Sequence, residues 1–172
     1  MLRFFKVILL TICTSFGYSQ NASSIDFVIK NLGVNVDGHF NTFDIIAEFN
    51  PESELTNISG KIAVSSIKTG IESRDEHLLK DDYFDIENHA YITLRSISIS
   101  KTSDTVYSVK ADLSIKGKTK QITIPVTVQS VDETYKITSS FKINRRDFDV
   151  GGGSFVMGKT VKIQVTYFQE MQ

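Results

Sequence analysis

The chain has 172 residues, 41% of them hydrophobic, with 19 basic and 20 acidic side chains and a formal net charge of -1. Without a basic excess, neither a nucleic acid nor an anionic membrane is an expected partner. Its single cysteine, Cys13, excludes an internal disulfide framework and any CxxC metal or redox motif.

The first predicted element is a leader. MLRFFKVILLTICTSFGYSQ carries Arg3 and Lys6, an apolar run from Val7 to Phe16, then small Gly17 and Ser19, the order of a secretory signal. The run is too short to span a bilayer, which takes about 20 residues. Cleavage after Ser19 makes residues 1–19 a signal peptide and 20–172 a single exported domain, periplasmic or secreted, with no stable membrane insertion. A competing reading lipidates Cys13, but Ile12 stands where such a site wants a small residue. The cut removes two of the 19 basic residues, no acidic one and the only cysteine, so the formal charge moves from -1 to -3. A domain of about 150 residues without disulfides is held by core burial alone.

Strands follow, read from a period of two. IDFVIK puts Ile25, Phe27 and Ile29 on one face; FDIIAEF aligns Phe43, Ile45, Ala47 and Phe49; ISGKIAV aligns Ile58, Ile62 and Val64. YITLRSISIS changes parity between Leu94 and Ile97, which predicts a bulge or burial on both faces. VYSVKADLSIKG, ITIPVTV, YKITSSFKI and VKIQVTY complete about eight amphipathic strands. Asp37-Gly38, Asn50-Pro51, Lys116-Gly117 and Gly151-Gly152-Gly153 supply turn chemistry between runs. Links this short predict an antiparallel meander. The alternation leaves both a sandwich and a closed barrel open. Large inward rings (Phe27, Phe43, Phe49, Phe141) interspersed with small Ala47, Gly60 and Ala111 lean toward a barrel with a cavity.

One stretch breaks the pattern. TGIESRDEHLLKDDYFD, Thr69 to Asp85, gathers charge and spaces its apolar residues irregularly. Ser73 and Glu76 fit a capping box, Asp75 and Glu76 favour a helix N-terminus, and the segment from Arg74 to Lys80 is expected to form two helical turns. Asp75 and His77 are the acid–base pair to consider, yet residues two apart on a helix face different sides. An ion pair of Arg74 with Asp81 or Asp85 is the structural expectation. His39, His77 and His89 show no metal-ligand spacing, and no GxSxG pattern occurs. Gly151-Gly152-Gly153 lacks the GK[ST] and following helix of a phosphate loop. Neither a metal nor a cofactor is implied.

Read as ordered motifs, the chain resembles the YceI-like proteins. Their pattern is matched by Ser66-Ile67, Thr69-Gly70, Arg74-Asp75, His77-Leu78, Asp82, Phe84-Asp85 and Tyr91. Gly38 with Phe40 and Phe43, the run LSIKGKTKQITIPVTV, and INRRDFDVGGG with GKTVKIQV fall in the family's order and span nearly all of the exported chain. Three positions depart: Ala90 and Ile92 flank Tyr91 where a proline is usual, Leu94 replaces an aromatic, and Asp149 stands where glycine often follows Asp-Phe. The resemblance implies an all-β, extended, lipocalin-like antiparallel barrel of eight strands with a short helix near Arg74-Lys80. It also implies export to the periplasm, a polyisoprenoid or other long-chain lipid held in the bore, and no enzymatic activity. On that view Phe27, Phe43, Ile45, Phe49, Ile62, Val64, Leu113, Val126, Phe141 and Val165 line the bore, with Arg74 and His77 at a polar rim. Two alternatives stay open: a barrel hydrolase or isomerase using His77 and Asp75, and a solid-core stress-response surface protein. A homodimer is left open as well.

Overall fold

Apolar–polar alternation becomes ten antiparallel strands in the computed structural model, which describes residues 22–171. The expected signal peptide and Cys13 lie outside the described residues. In chain order the strands are β1 (Ser24–Asn31), β2 (Val34–Phe40), β3 (Phe43–Phe49), β4 (Leu55–Ala63), β5 (Ile67–Lys68), β6 (Tyr91–Lys101), β7 (Val106–Ile115), β8 (Lys118–Val131), β9 (Thr134–Asn144) and β10 (Met157–Glu170). A helix, α1 (Glu72–Leu78), and two 3-10 turns, Val64–Ser66 and Arg145–Phe148, interrupt them.

Ten strands behave as eight. β2 runs into β3 across Asn41 and Thr42, and β4 runs into β5 through the first 3-10 turn. These two bent strands pair with each other along both halves, β3 with β4 and β2 with β5. At the bend, Asn41 N–H donates to the Ser66 carbonyl at 3.2 Å and Ala63 N–H to that of Thr42 at 3.0 Å. The ladder then continues through β6, β7, β8, β9, β10 and β1 back to β2, so the sheet closes. Closure removes the free edges that would otherwise recruit other chains. Where β3 runs past the β1–β2 ladder, the Gln169 amide completes it, accepting from Ala47 N–H at 3.2 Å and donating to Ala47 O at 2.9 Å.

Two expectations need correction here. Asp37-Gly38 is not a turn but the middle of β2, where Gly38 lies opposite Phe27 in the β1 ladder. The turn sits earlier, at Leu32-Gly33, with φ of 50° and 81°. The parity change in β6 is a bulge as expected: register shifts between Ser96 and Ser98, and Ile97 turns to solvent. The helix begins earlier than expected, at Glu72 with Ile71 as its N-cap, and no side chain caps it. Ser73 is therefore inside the helix, where its hydroxyl cannot serve the free N–H groups, so the capping box does not form.

The lower part of the barrel is solid. Tyr107, Val109, Ala111, Leu55 and Val128 are buried there, and Phe49 stacks on Tyr135 at 4.0 Å between ring centroids. Toward the other end β8 and β9 part above Thr127 and Thr138. Pro125 has no N–H to offer, and its carbonyl accepts instead from the Ser139 hydroxyl at 2.6 Å. The second 3-10 turn, bearing fully buried Phe148, packs against β8 and β10.

Candidate functional site

Above the packed floor the bore is hollow. The cavity measures about 670 Å³, within the range of sites that enclose a small molecule. Ile25, Phe27 and Ile29 of β1, Leu113 and Ile115 of β7, and Ile124 and Val126 of β8 are among its walls. Period-two alternation produces this surface, since each strand turns every second side chain inward. Ser73, His77 and Val156 both line the cavity and are exposed, placing its opening beside α1 and the 150–158 loop.

Of the residues expected on the wall, Phe27, Ile45, Ile62, Leu113, Val126, Phe141 and Val165 line the cavity, and so do Arg74 and His77 at its mouth. Phe43, Phe49 and Val64 do not. Phe49 belongs to the floor through its stack on Tyr135. Phe43, at the opposite end of β3 and paired with Ile62, packs against the buried core, and Val64, 1% exposed, is locked in the 3-10 turn that breaks β4 from β5. All three have inward parity, but parity does not say how far up the bore a side chain stands.

Other wall residues went unselected. Val161, Ile163 and Tyr167 share the parity of Val165 on β10, so alternation could have named them. Leu78, Tyr83 and Phe84 come from the segment around α1, which has no strand period to reveal them. Tyr167 is held above the ordinary tyrosine pKa, first by burial and then by the Asp44 carboxylate, so it stays neutral on the wall.

Polar contacts at the mouth converge on Thr69. Its N–H and hydroxyl both donate to Asp75 Oδ1, at 2.8 and 2.5 Å. Arg74 donates from Nε to the same hydroxyl at 2.7 Å and from Nη2 to the Thr69 carbonyl at 2.6 Å. Asp75 is buried, and Lys68 Nζ stands 3.8 Å from its other oxygen. The expected pairing of Arg74 with Asp81 or Asp85 is not formed, because the guanidinium folds back over the loop that precedes the helix. His77 instead faces Asp82 at 3.3 Å and meets the Tyr83 ring edge-on. Asp75 and His77 thus serve different partners, and the acid–base pair is not assembled. Among the described residues no three His, Cys, Asp or Glu side chains group to hold a metal.

Arg145 is the second hub. It is 3% exposed, and among the described residues no carboxylate pairs with it. Its guanidinium donates to five carbonyls: Gly158 at 2.9 Å, Val150 at 2.7 Å, Gly152 at 3.0 Å, Ser154 at 3.4 Å and Met157 at 3.1 Å. Burial and the nearby Arg146 charge lower its pKa. The five bonds gather the 150–158 loop around one side chain. In the sequence Arg145 stood only within the closing INRRDF motif.

A closed antiparallel barrel with a plugged floor, an apolar bore and a polar mouth under a short helix has the calyx form of a binding-protein fold. The chain belongs to the YceI-like domain family, whose model matches residues 17–167. A UPF0312 protein of Staphylococcus aureus (strain MSSA476) is 31% identical over 169 residues, covering 89% of this chain and 95% of the relative. BcnA of Burkholderia cenocepacia superposes with a TM-score of 0.80 at 26% identity, over 86% of this chain and 96% of that one. A domain from Saccharophagus degradans, described as polyisoprenoid binding, superposes with a TM-score of 0.71 at 19% identity, over 88% and 95%. At that identity the likeness speaks for the fold.

Proposed function

We propose that this is an exported carrier that keeps the tail of a polyisoprenoid, or a similar long-chain amphiphile, out of water. The apolar cavity of about 670 Å³ open at one end carries this reading. A tail gains about 25 cal/mol for each Å² of apolar surface it withdraws from water, so greasy walls suffice without many specific contacts. Phe27, Ile45, Ile62, Leu113, Val126, Phe141 and Val165 would touch the tail, and Arg74 and His77 would stand near its polar head. The polyisoprenoid-binding description of the Saccharophagus degradans neighbour supports the ligand class. The charged start, short apolar run and small residues before Gln20 support export to the periplasm or beyond.

The test is to purify the protein from the periplasm of its own host and identify the lipid extracted from it. A prenyl chain is expected, together with a rise in melting temperature when polyprenol is added to the emptied protein. Lipid-free native protein whose melting does not respond to polyprenols would overturn the reading. His77→Ala separates carrier from catalyst: tail binding is expected to stay within about threefold, since the imidazole adds no apolar wall.

A further inference from the structure

The mouth of the cavity carries an apolar crest that the barrel does not need for its own packing. Leu32 is 74% exposed, Val34 68%, Val156 54%, and Phe155 projects completely into solvent at 102%. They form one patch. Leu32 N–H donates to the Val156 carbonyl at 2.8 Å, and Asn31 pairs with Val34 on one side and Met157 on the other. Asn31, Val156 and Met157 also line the cavity, so the crest borders the opening. We propose that this crest seats the protein on an anionic lipid bilayer, so that a tail moves between membrane and bore without crossing water.

Three observations carry it. Phe155 is not a loose side chain that happens to point outward. Arg145 binds the carbonyls of Val150, Gly152 and Ser154 before it and of Met157 and Gly158 after it, so the backbone on both sides is tied down. A buried guanidinium is thereby spent on presenting an aromatic ring to solvent, and exposed apolar groups gathered in one patch mark a contact surface. Rings and branched aliphatics at the tips of loops are suited to the boundary between headgroups and acyl chains.

Charge chooses the occupant. Lys30 and Lys159 flank the patch on β1 and β10, and Arg146 donates to the Ser154 carbonyl beside Phe155 at 3.2 Å. Among the described residues none of these three is ion-paired, and neighbouring Asp147 is engaged by Asn144 at 3.1 Å. The crest's own flank, three cations beside the Asp147 carboxylate, is basic although the whole chain and the acidic segment around α1 on the other part of the mouth are not. Two copies meeting through this patch would oppose like charges, whereas an anionic bilayer complements them. Docking of this kind is peripheral and reversible, with loop tips rather than strands in the lipid.

The proposal rests on the cavity being a lipid site, and the experiment separates the two. The sequence has no tryptophan, so Phe155→Trp provides one reporter. With vesicles of phosphatidylethanolamine containing phosphatidylglycerol as the minor component, its emission is expected to shift to the blue, less so at high salt. The unaltered protein is expected to float with these vesicles, and Leu32→Ser with Phe155→Ser to reduce flotation about tenfold or more. Neither of those two residues lines the cavity, so melting shifts on adding polyprenol from ethanol should be unchanged. Melting shifts without flotation or a blue shift would overturn the docking and leave the carrier reading standing. A blue shift that grows with protein concentration and needs no vesicles would overturn it in favour of a second copy covering the crest.

Discussion

Thr69 links three groups that the sequence places in different elements: the end of β5, the first turn of α1 and the mouth of the cavity. Its hydroxyl donates to Asp75 and accepts from Arg74, which uses both of a threonine's local roles at once. The Thr-Gly and Arg-Asp pairs of the motif are thereby explained by bonding within the fold, without any chemistry on a ligand. Asp75→Ala would leave the Thr69 N–H without its acceptor in a poorly hydrated place, and Arg74 and Lys68 without the neighbouring negative charge. We expect a loss of about 3 kcal/mol, the sum of a hydrogen bond to a charged group and a stranded donor. Asp75→Asn keeps an acceptor for Thr69 and should lose about half as much. Urea denaturation checks both, with an unchanged slope showing that the comparison is of stability alone. A loss below about 1 kcal/mol for the alanine variant would mean that the knot is ornamental.

At the scale of elements, strands announced themselves wherever apolar and polar residues alternated without interruption. β1, β3, β7 and β10 are legible for that reason, and so is the bulge in β6, because a parity change has few other structural meanings. β2 was missed because Asp37-Gly38 has turn chemistry while the true turn uses Leu32, a residue rarely held at positive φ. Gly38 is there for a different reason. A methyl group at that position would meet Cε2 of Phe27 at 2.7 Å and the Lys68 carbonyl at 2.9 Å. Close approach of two strands, not a reversal of the chain, is what excludes a side chain. Gly38→Ala should therefore destabilise the protein by about 1–3 kcal/mol, the usual cost of overpacking. It should also push the Phe27 ring into the bore and weaken tail binding. Thermal melts with and without polyprenol measure the two effects separately. An alanine variant as stable and as responsive as the parent would show that the strands can part at no cost. The mouth was the least legible element, since the segment around α1 repeats at neither 2.0 nor 3.6 residues, and its contacts are set by long-range packing.

The whole molecule is a cup rather than an open tube. Its walls close through two bent strands, its floor is filled by Phe49, Tyr135 and their neighbours, and its only described large void lies above them. Depth therefore sets the length of tail that can be buried. Taking about 30 Å³ for each non-hydrogen group, close to the share of a water molecule in the liquid, the cavity admits on the order of 20 carbons. That is about four isoprene units. Along a series of prenols, affinity should climb while each added unit finds wall to cover, then level off near four units as further units remain in the mouth or outside. Each buried methylene is worth about 0.8 kcal/mol before ordering costs, so the early steps should be steep, tenfold or more per unit. Phe49→Ala, by lowering the floor, should move the plateau to longer chains, at a stability cost of about 3 kcal/mol. Titration calorimetry on the series reads both numbers. Affinity that keeps rising well past four units in the parent protein would mean that the floor yields to the guest, and that the packed lower half is a second compartment waiting to be opened.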